Sequence, residues 1–326
     1  MLFPGFAISA FTRVHKGVNA RLRRATDALG AQPGLGESTI PKPIAYDGWP
    51  VAPTSWSTKM PMIKAGNFDL EYSDTGSGPA VILVHSSASG LRQWRRLTET
   101  LATRYRVIAV NLFGYGKTTP WPGTRPLRAA DQAELVAAAA GLASGPVALV
   151  GHSLGGAVAL EAAAQLSDRV RVLVAFEPIL FGTLKEHRPG AAYDEVADLS
   201  RRFTVLARAG DWNAAGECFI DYWGASGTWA AMPEERRQNT MAMLSPVLHE
   251  WDMATTGSRT LADWRTISAP VHLIRAADTR APTREIVQLL AKTYPNWRVH
   301  EVSSGGHMAP VTRPDLVNPL IAGVIE

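Results

Sequence analysis

Short apolar runs alternate with amphipathic stretches from about residue 63 to the end of the chain. Residues 80–84, with the sequence AVILV, are consecutive apolar positions, which is typical of a parallel strand buried on both faces. Similar short runs predict an edge strand at 68–72 and further strands at 106–110, 147–150, 170–175, 271–274 and 298–302. Apolar positions at helical spacing predict helices at 91–101, 131–142, 155–165, 283–292 and 314–325. Strands that alternate with helices predict an α/β fold, a mainly parallel sheet with helices on both faces.

Two regions depart from this alternation. Residues 178–266 show helical spacing without strands, and we interpret them as a helical lid inserted over one end of the sheet. The helices predicted within this lid are 191–209, 212–223 and 233–251. Residues 1–62 carry an amphipathic helical stripe followed by a proline-rich connector. The predicted α/β core therefore comprises residues 63–177 and 267–326.

The charge distribution gives no sign of a nucleic-acid partner. The chain of 326 residues has a net charge of +4, and five basic residues against one acidic residue in 1–30 account for the whole excess. The remainder is balanced, so a basic face on the core is not expected. The amphipathic helix predicted in 1–30 needs a surface to cover. It could pack on the core or on a second subunit of a homo-oligomer, or it could make weak contact with an anionic membrane surface.

Cysteine count and hydropathy exclude further classes. Cys218 is the single cysteine, which rules out an internal disulfide and a cysteine-cluster metal site. No metal-ligand spacing is present, and no apolar stretch approaches the ~20 residues of a membrane-spanning helix. The first charge, Arg13, follows the N-terminal apolar stretch, which argues against a cleavable signal peptide. We therefore expect a cytoplasmic protein with no transmembrane segment, no metal and no cofactor.

The sequence Gly-His-Ser-Leu-Gly at 151–155 lies between a predicted strand and a predicted helix. This context is typical of a sharp turn that exposes the central serine as a nucleophile. The flanking glycines avoid collisions at the turn. The start of the helix supplies backbone N–H groups and a positive dipole for a developing anion. The pattern predicts Ser153 as the nucleophile and the Leu154 N–H as one oxyanion donor.

A serine nucleophile needs a base, and the base needs an orienting acid. His307 follows the last predicted strand in the loop 303–308, at the same sheet end as Ser153, and is the predicted base. Asp278 follows the strand 271–274 and completes the chain order serine, acid, histidine, so it is the preferred acid. Glu177, at the end of the strand 170–175, remains the alternative.

The loop 85–90, after the buried strand 80–84, is predicted to supply the second oxyanion donor. Ser87 is the first candidate for this donor and Ser86 is the next. The predicted lid is rich in aromatic residues, and Trp223, Trp229 and Met308 are the residues expected to line a substrate pocket. This lid is aromatic and has no charged residue clearly placed to bind a charged group of a substrate, which favours a small, largely apolar substrate.

These motifs resemble the α/β-hydrolase family, of the single-lid esterase and C–C hydrolase type. The matching sequences are Val-His-Ser at 84–86, Asn-Leu-Phe-Gly-Tyr-Gly at 111–116, the turn at 151–155, Asp278, and Gly-His-Met at 306–308. The family often has glycine where this chain has Ser86. Glycine reaches backbone angles that serine avoids, so the oxyanion loop of this chain need not have the backbone geometry of the family. The related haloalkane dehalogenases and epoxide hydrolases use an aspartate nucleophile, so Ser153 argues against both activities. Some dehalogenases place their acid at the position of Glu177.

The resemblance implies a serine hydrolase that cleaves an ester-type bond through an acyl-enzyme. Hydrolysis of a C–C bond in a ring-cleavage product is the alternative within enzymes. A ligand receptor on the same fold is the alternative from another class.

Overall fold

The computed structural model describes residues 60–256 and 259–326. Its sheet has eight strands in the order β1-β2-β4-β3-β5-β6-β7-β8. The strands are β1 (Met62–Ala65), β2 (Phe68–Thr75), β3 (Ala80–Val84), β4 (Arg106–Val110), β5 (Val147–His152), β6 (Val170–Phe176), β7 (Val271–Ala276) and β8 (Arg298–Val302). The pairs β1–β2 and β2–β4 are antiparallel, and all the other pairs are parallel. The carboxyl ends of β3 to β8 therefore meet at one edge of the sheet.

The helices of the core flank this sheet. They are α1 (Arg95–Leu101), α2 (Ala129–Ala140), α3 (Leu154–Leu166), α10 (Ala281–Thr293), the single turn α11 (Ala309–Thr312) and α12 (Pro314–Ile325). Between β6 and β7 lie α4 (Phe181–His187), α5 (Ala191–Arg208), α6 (Trp212–Trp223), α7 (Thr228–Ala231), α8 (Glu234–Ala242) and α9 (Val247–Thr256). These six helices occupy the part of the sequence that we interpreted as a lid.

The side chains of the central strands lie alternately in two apolar layers, one on each face of the sheet. In β3, Ile82 and Val84 pack in a layer with α2, α3 and α10, whereas Val81 and Leu83 pack in a layer with α1 and α12. Successive side chains of a strand point to opposite faces, so a strand covered on both sides must be apolar throughout. All five residues of β3 are buried accordingly.

The structure confirms the predicted α/β fold and corrects several elements. The segment 68–72 is not an edge strand, because β2 lies between β1 and β4. The predicted helix 233–251 is two helices, because α8 ends at Ala242 and α9 begins at Val247. Pro246 has no N–H to donate to the carbonyl of Ala242, which breaks a continuous helix at this point. Helix α4 was not predicted. The predicted helix and connector at 1–62 lie outside the described residues up to position 59, and the domain boundaries stay predictions.

Candidate active site

Ser153 lies on a strained turn between β5 and α3. Its backbone adopts φ 57° and ψ −117°, and residues other than glycine rarely have a positive φ. A Cβ atom on Gly151 would lie 2.1 Å from the carbonyl oxygen of Gly155, and one on Gly155 would lie 2.3 Å from that of Val84. Only glycine therefore fits at these two positions. The close packing of Gly155 on Val84 also brings the loop that follows β3 to the Ser153 turn.

His307 connects Ser153 to a buried carboxylate. Its Nε2 lies 2.8 Å from the Ser153 Oγ, and its Nδ1 lies 2.8 Å from Oε2 of Glu177. All three side chains are buried. The Glu177 carboxylate also accepts hydrogen bonds from the Ala276 N–H at 2.8 Å and from the Thr279 hydroxyl at 2.7 Å. These two donors hold the carboxylate in place, so Nδ1 carries the proton and Nε2 is left as the acceptor that faces the serine.

In this geometry the carboxylate beside the His307 ring belongs to Glu177 and not to Asp278, the preferred acid. The Asp278 carboxylate accepts the backbone N–H groups of Gly305 at 3.2 Å and Gly306 at 2.8 Å. Both oxygens are thus used to shape the turn that carries His307. Glu177, the alternative, reaches the imidazole from the end of β6, the strand next to β5. Asp278 supports the histidine through the backbone and does not contact its ring.

The loop after β3 has its backbone N–H groups fixed on both sides of Ser87. The Ser86 N–H donates to Oε1 of Gln93 at 3.0 Å, and the Ala88 N–H donates to the Tyr115 hydroxyl at 2.8 Å. Within the described residues, the N–H groups of Ser87 and Leu154 donate to no protein acceptor. The loop therefore offers Ser87 and not Ser86 as a free backbone donor, together with Leu154 at the start of α3.

Gln93 and His152 link this loop to the His307 loop. Nε2 of His152 donates to the carbonyl oxygen of His307 at 2.8 Å, and its Nδ1 accepts from the Gln93 amide at 3.1 Å. Gln93 Oε1 accepts from both the N–H and the hydroxyl of Ser86. Burial first, and then the charge of His307, lower the pKa of His152 well below its usual value. The neutral ring can therefore act as donor and acceptor at once, as this relay requires.

The three predicted pocket residues have different positions. Trp223, at the end of α6, lies over His307 with ring centroids 4.2 Å apart and shields the imidazole from water. Trp229 does not reach the site: its ring packs on Gly216 of α6, and its Nε1 donates to Asn213 at 3.2 Å. Met308 is partly buried and packs on the apolar layer beside α2 and α3.

Two buried ionisable groups lie beside the loop after β3. His85 accepts the Leu112 N–H at Nε2, 3.1 Å away, and burial lowers its pKa to about 4, so it is neutral. Glu250 of α9 is buried and accepts the Tyr115 hydroxyl at 2.8 Å. Burial raises its pKa to about 7, although the nearby Ser87 side chain and the hydrogen bond from Tyr115 oppose the shift.

Sequence reasoning missed Gln93, His152, Thr279, Tyr115 and Glu250 as parts of this site. His152 and Tyr115 lie inside motifs that were recognised, so their positions were a signal that could have been used. Thr279 follows Asp278 directly in the chain. Gln93 and Glu250 carry no such signal, because nothing in their neighbourhood sets them apart from exposed polar positions on a helix.

Residues 60–256 and 259–326 contain neither a side-chain cluster for a metal ion nor a membrane-spanning helix. No group of three or more histidine, cysteine, aspartate or glutamate side chains there could hold a metal ion. Across the same ranges, no helix has the length and apolar character needed to cross a membrane.

The fold and this geometry define the class of protein. Residues 81–320, most of the chain, match the model of the alpha/beta hydrolase family. The chain therefore belongs to the α/β-hydrolase family, as its motifs suggested.

Individual relatives are enzymes with differing substrates. A putative carbamate hydrolase, RutD, from Azorhizobium caulinodans is 29% identical over 274 residues, which cover 81% of this chain and 97% of that protein. The 2-hydroxy-6-oxo-6-(2'-aminophenyl)hexa-2,4-dienoic acid hydrolase of Metapseudomonas resinovorans is 34% identical, over 34% of this chain and 40% of its own length. Among solved structures, an alpha/beta hydrolase from Sphaerobacter thermophilus has a TM-score of 0.65 at 24% identity, covering 82% of this chain and 100% of that chain.

Proposed function

We propose that this protein is a serine hydrolase that cleaves an ester-type bond of a small, largely apolar substrate through an acyl-enzyme. The observation that carries the proposal is the position of His307, with its two ring nitrogens 2.8 Å from the Ser153 hydroxyl and from the Glu177 carboxylate. This arrangement allows a base to activate the serine while a buried anion stabilises the protonated base.

Acylation begins when the Ser153 Oγ attacks the carbonyl carbon of the substrate. His307 Nε2 takes the serine proton, and the Glu177 carboxylate stabilises the imidazolium that forms. The carbonyl oxygen becomes an oxyanion that accepts hydrogen bonds from the N–H groups of Ser87 and Leu154. Collapse of this intermediate breaks the bond to the leaving alcohol, which receives the proton from His307. The products of this half-reaction are the free alcohol and an ester of Ser153.

Deacylation repeats these steps with water as the nucleophile. His307, again neutral, removes a proton from a water molecule that attacks the acyl carbon. The second oxyanion uses the same two N–H groups, and its collapse returns the proton from His307 to the Ser153 Oγ. The carboxylic acid leaves and the free enzyme is restored.

The lid favours an apolar acyl or aryl group. Trp223 contacts His307, Phe181 and Phe219 through its ring. A substrate bound beside His307 would therefore meet an aromatic wall. Substrates with aryl or medium alkyl acyl groups should have higher kcat/KM than charged analogues of similar size.

Hydrolysis of a C–C bond is the second candidate. The observation that favours it is the 34% identity to the dienoic acid hydrolase of Metapseudomonas resinovorans, although that match spans about a third of this chain. The similarity to the putative carbamate hydrolase over 81% of this chain makes carbamates a third class of carbonyl substrate to test.

A substrate panel separates these candidates. Purified protein would be assayed with p-nitrophenyl esters of increasing acyl length, with aryl carbamates and with a vinylogous diketone ring-cleavage product. The proposal expects ester turnover that Ser153→Ala abolishes. Preference for the diketone over every ester would replace the proposal with the second candidate. Ester turnover that survives in Ser153→Ala would refute the mechanism.

A further inference from the structure

A hydrogen-bond chain joins the lid to the loop after β3. Oε1 of Glu250, on α9, accepts the Tyr115 hydroxyl at 2.8 Å, and the same hydroxyl oxygen accepts the Ala88 N–H at 2.8 Å. Tyr115 is fully buried, and its ring meets that of His85 edge to face with centroids 4.6 Å apart. The hydroxyl has one proton, which goes to the carboxyl group, so its oxygen is available to the Ala88 N–H.

Ala88 has a backbone conformation that needs support. Its φ is 53°, in the left-handed region that an alanine rarely occupies. Such a conformation persists only where surrounding contacts impose it. The contact made by the Ala88 N–H is the bond to Tyr115, and Tyr115 in turn is held by Glu250. Ala88 directly follows Ser87, so its backbone angles help to set the direction of the preceding peptide groups.

The free N–H of Ser87 lies between two fixed neighbours. Gln93 of the core holds the Ser86 N–H, and Tyr115 holds the Ala88 N–H. The first anchor lies entirely within the core, whereas the second ends on a residue of the lid. A donor aimed at an oxyanion acts through its exact position, and a misplacement of about 1 Å can cost about 100-fold in rate.

We propose that Glu250 and Tyr115 are positioning residues, which place the Ser87 N–H for the oxyanion and make its alignment depend on the docked lid helix α9. This inference rests on the proposed function, since it assigns a role to that same oxyanion site. Neither residue takes part in proton transfer or contacts the reacting atoms.

The second oxygen of Glu250 suggests a competing role that the experiment must separate. Oε2 has no hydrogen bond of normal geometry among the described residues, although the Ser87 side chain is near enough to influence the carboxyl group. A buried acceptor of this kind could bind an N–H or O–H group of the substrate. In that case Glu250 would determine KM for substrates that carry such a donor.

The test compares four single variants and one double variant with the wild-type protein. Tyr115→Phe removes only the hydroxyl, Glu250→Leu removes the acceptor, and Glu250→Gln keeps an acceptor oxygen for Tyr115. Tyr294→Phe is the matched control, because the Tyr294 hydroxyl is also buried but has no hydrogen-bond partner among the described residues. Each variant would be characterised by kcat and KM on a p-nitrophenyl ester, by the affinity of a trifluoromethyl ketone that forms an oxyanion, and by thermal unfolding.

The proposal expects a loss confined to the oxyanion. Tyr115→Phe and Glu250→Leu should each lower kcat roughly 10- to 100-fold with KM changed less than about threefold, and inhibitor affinity should fall by the same factor as kcat/KM. Glu250→Gln should retain kcat within about threefold, and Tyr294→Phe should match wild type. The double variant Tyr115→Phe/Glu250→Leu should be no worse than either single variant, because both act through one chain of bonds.

Other outcomes overturn the proposal in identifiable ways. Normal kcat and inhibitor affinity in a folded Tyr115→Phe variant would show that the chain does not position Ser87. A rise in KM limited to donor-bearing substrates in both Glu250 variants would make Glu250 a substrate-binding residue instead. Absence of ester turnover and of inhibitor binding in the wild-type protein would instead refute the proposed function, and with it this inference.

Discussion

Replacement of Glu177 by glutamine tests which carboxylate orients His307. The carboxylate accepts three hydrogen bonds, from the Ala276 N–H, the Thr279 hydroxyl and Nδ1 of His307. The Ala276 N–H can only donate, so a glutamine keeps its amide oxygen on that N–H and places its NH₂ group at the Oε2 position, where it faces His307. That NH₂ donates to Nδ1 and moves the ring proton to Nε2, so the nitrogen facing Ser153 can no longer accept a proton. Loss of the correct tautomer of a triad histidine lowers kcat about 10⁴-fold.

Asp278→Asn is the matched control for this substitution. Asparagine can still accept the Gly306 N–H but loses one acceptor for Gly305, which should cost about 1–2 kcal/mol of stability and less than about tenfold in kcat. Steady-state kinetics on a p-nitrophenyl ester would give kcat, and thermal unfolding would establish that both variants are folded. A folded Asp278→Asn variant that loses more kcat than Glu177→Gln would refute the reasoning and assign the acid to Asp278.

The remaining predictions address the relay through His152, the two tryptophans Trp223 and Trp229, and the buried carboxyl group of Glu250. His152→Phe removes the hydrogen bonds that link Gln93 and Ser86 to the His307 carbonyl. We expect it to lower kcat about 10-fold or more with little change in KM, measured by pre-steady-state and steady-state kinetics on a p-nitrophenyl ester. Trp223→Ala should lower kcat/KM for aryl esters about 10-fold in the same assay, whereas Trp229→Ala should lower mainly stability. The folded pKa of Glu250, about 7, exceeds the usual 4.5, so its stabilising contribution is complete below about pH 4.5 and is lost as pH rises through 7. Glu250→Gln should therefore gain stability over wild type across that range, reaching about 3 kcal/mol near pH 8 in urea unfolding.

The centre of the sheet could be predicted because β3 and β5 are covered on both faces. Such strands must be apolar throughout, so β3 and β5 stand out as short runs even without any partner information. Ser153 and His307 could be predicted for a related reason. Both follow strands whose carboxyl ends must lie at the same edge, which restricts where reacting groups can meet.

The identity of the acid could not be settled by that argument. Glu177 and Asp278 follow adjacent parallel strands, β6 and β7, and both lie at the same sheet edge. The choice depends on side-chain reach and on which N–H groups compete for each carboxylate, and neither is visible in a sequence. The burial of Glu250 is a similar case, because it arises only when α9 packs on the loop after β3.

Covalent labelling tests the central claim most directly. The wild-type protein would be treated with a fluorophosphonate, and the modified peptide would be identified by mass spectrometry alongside Ser153→Ala. The account predicts a single phosphonyl adduct on Ser153, complete loss of ester turnover, and no adduct in Ser153→Ala. An adduct on a different serine, or ester turnover that persists after Ser153 is fully modified, would contradict it.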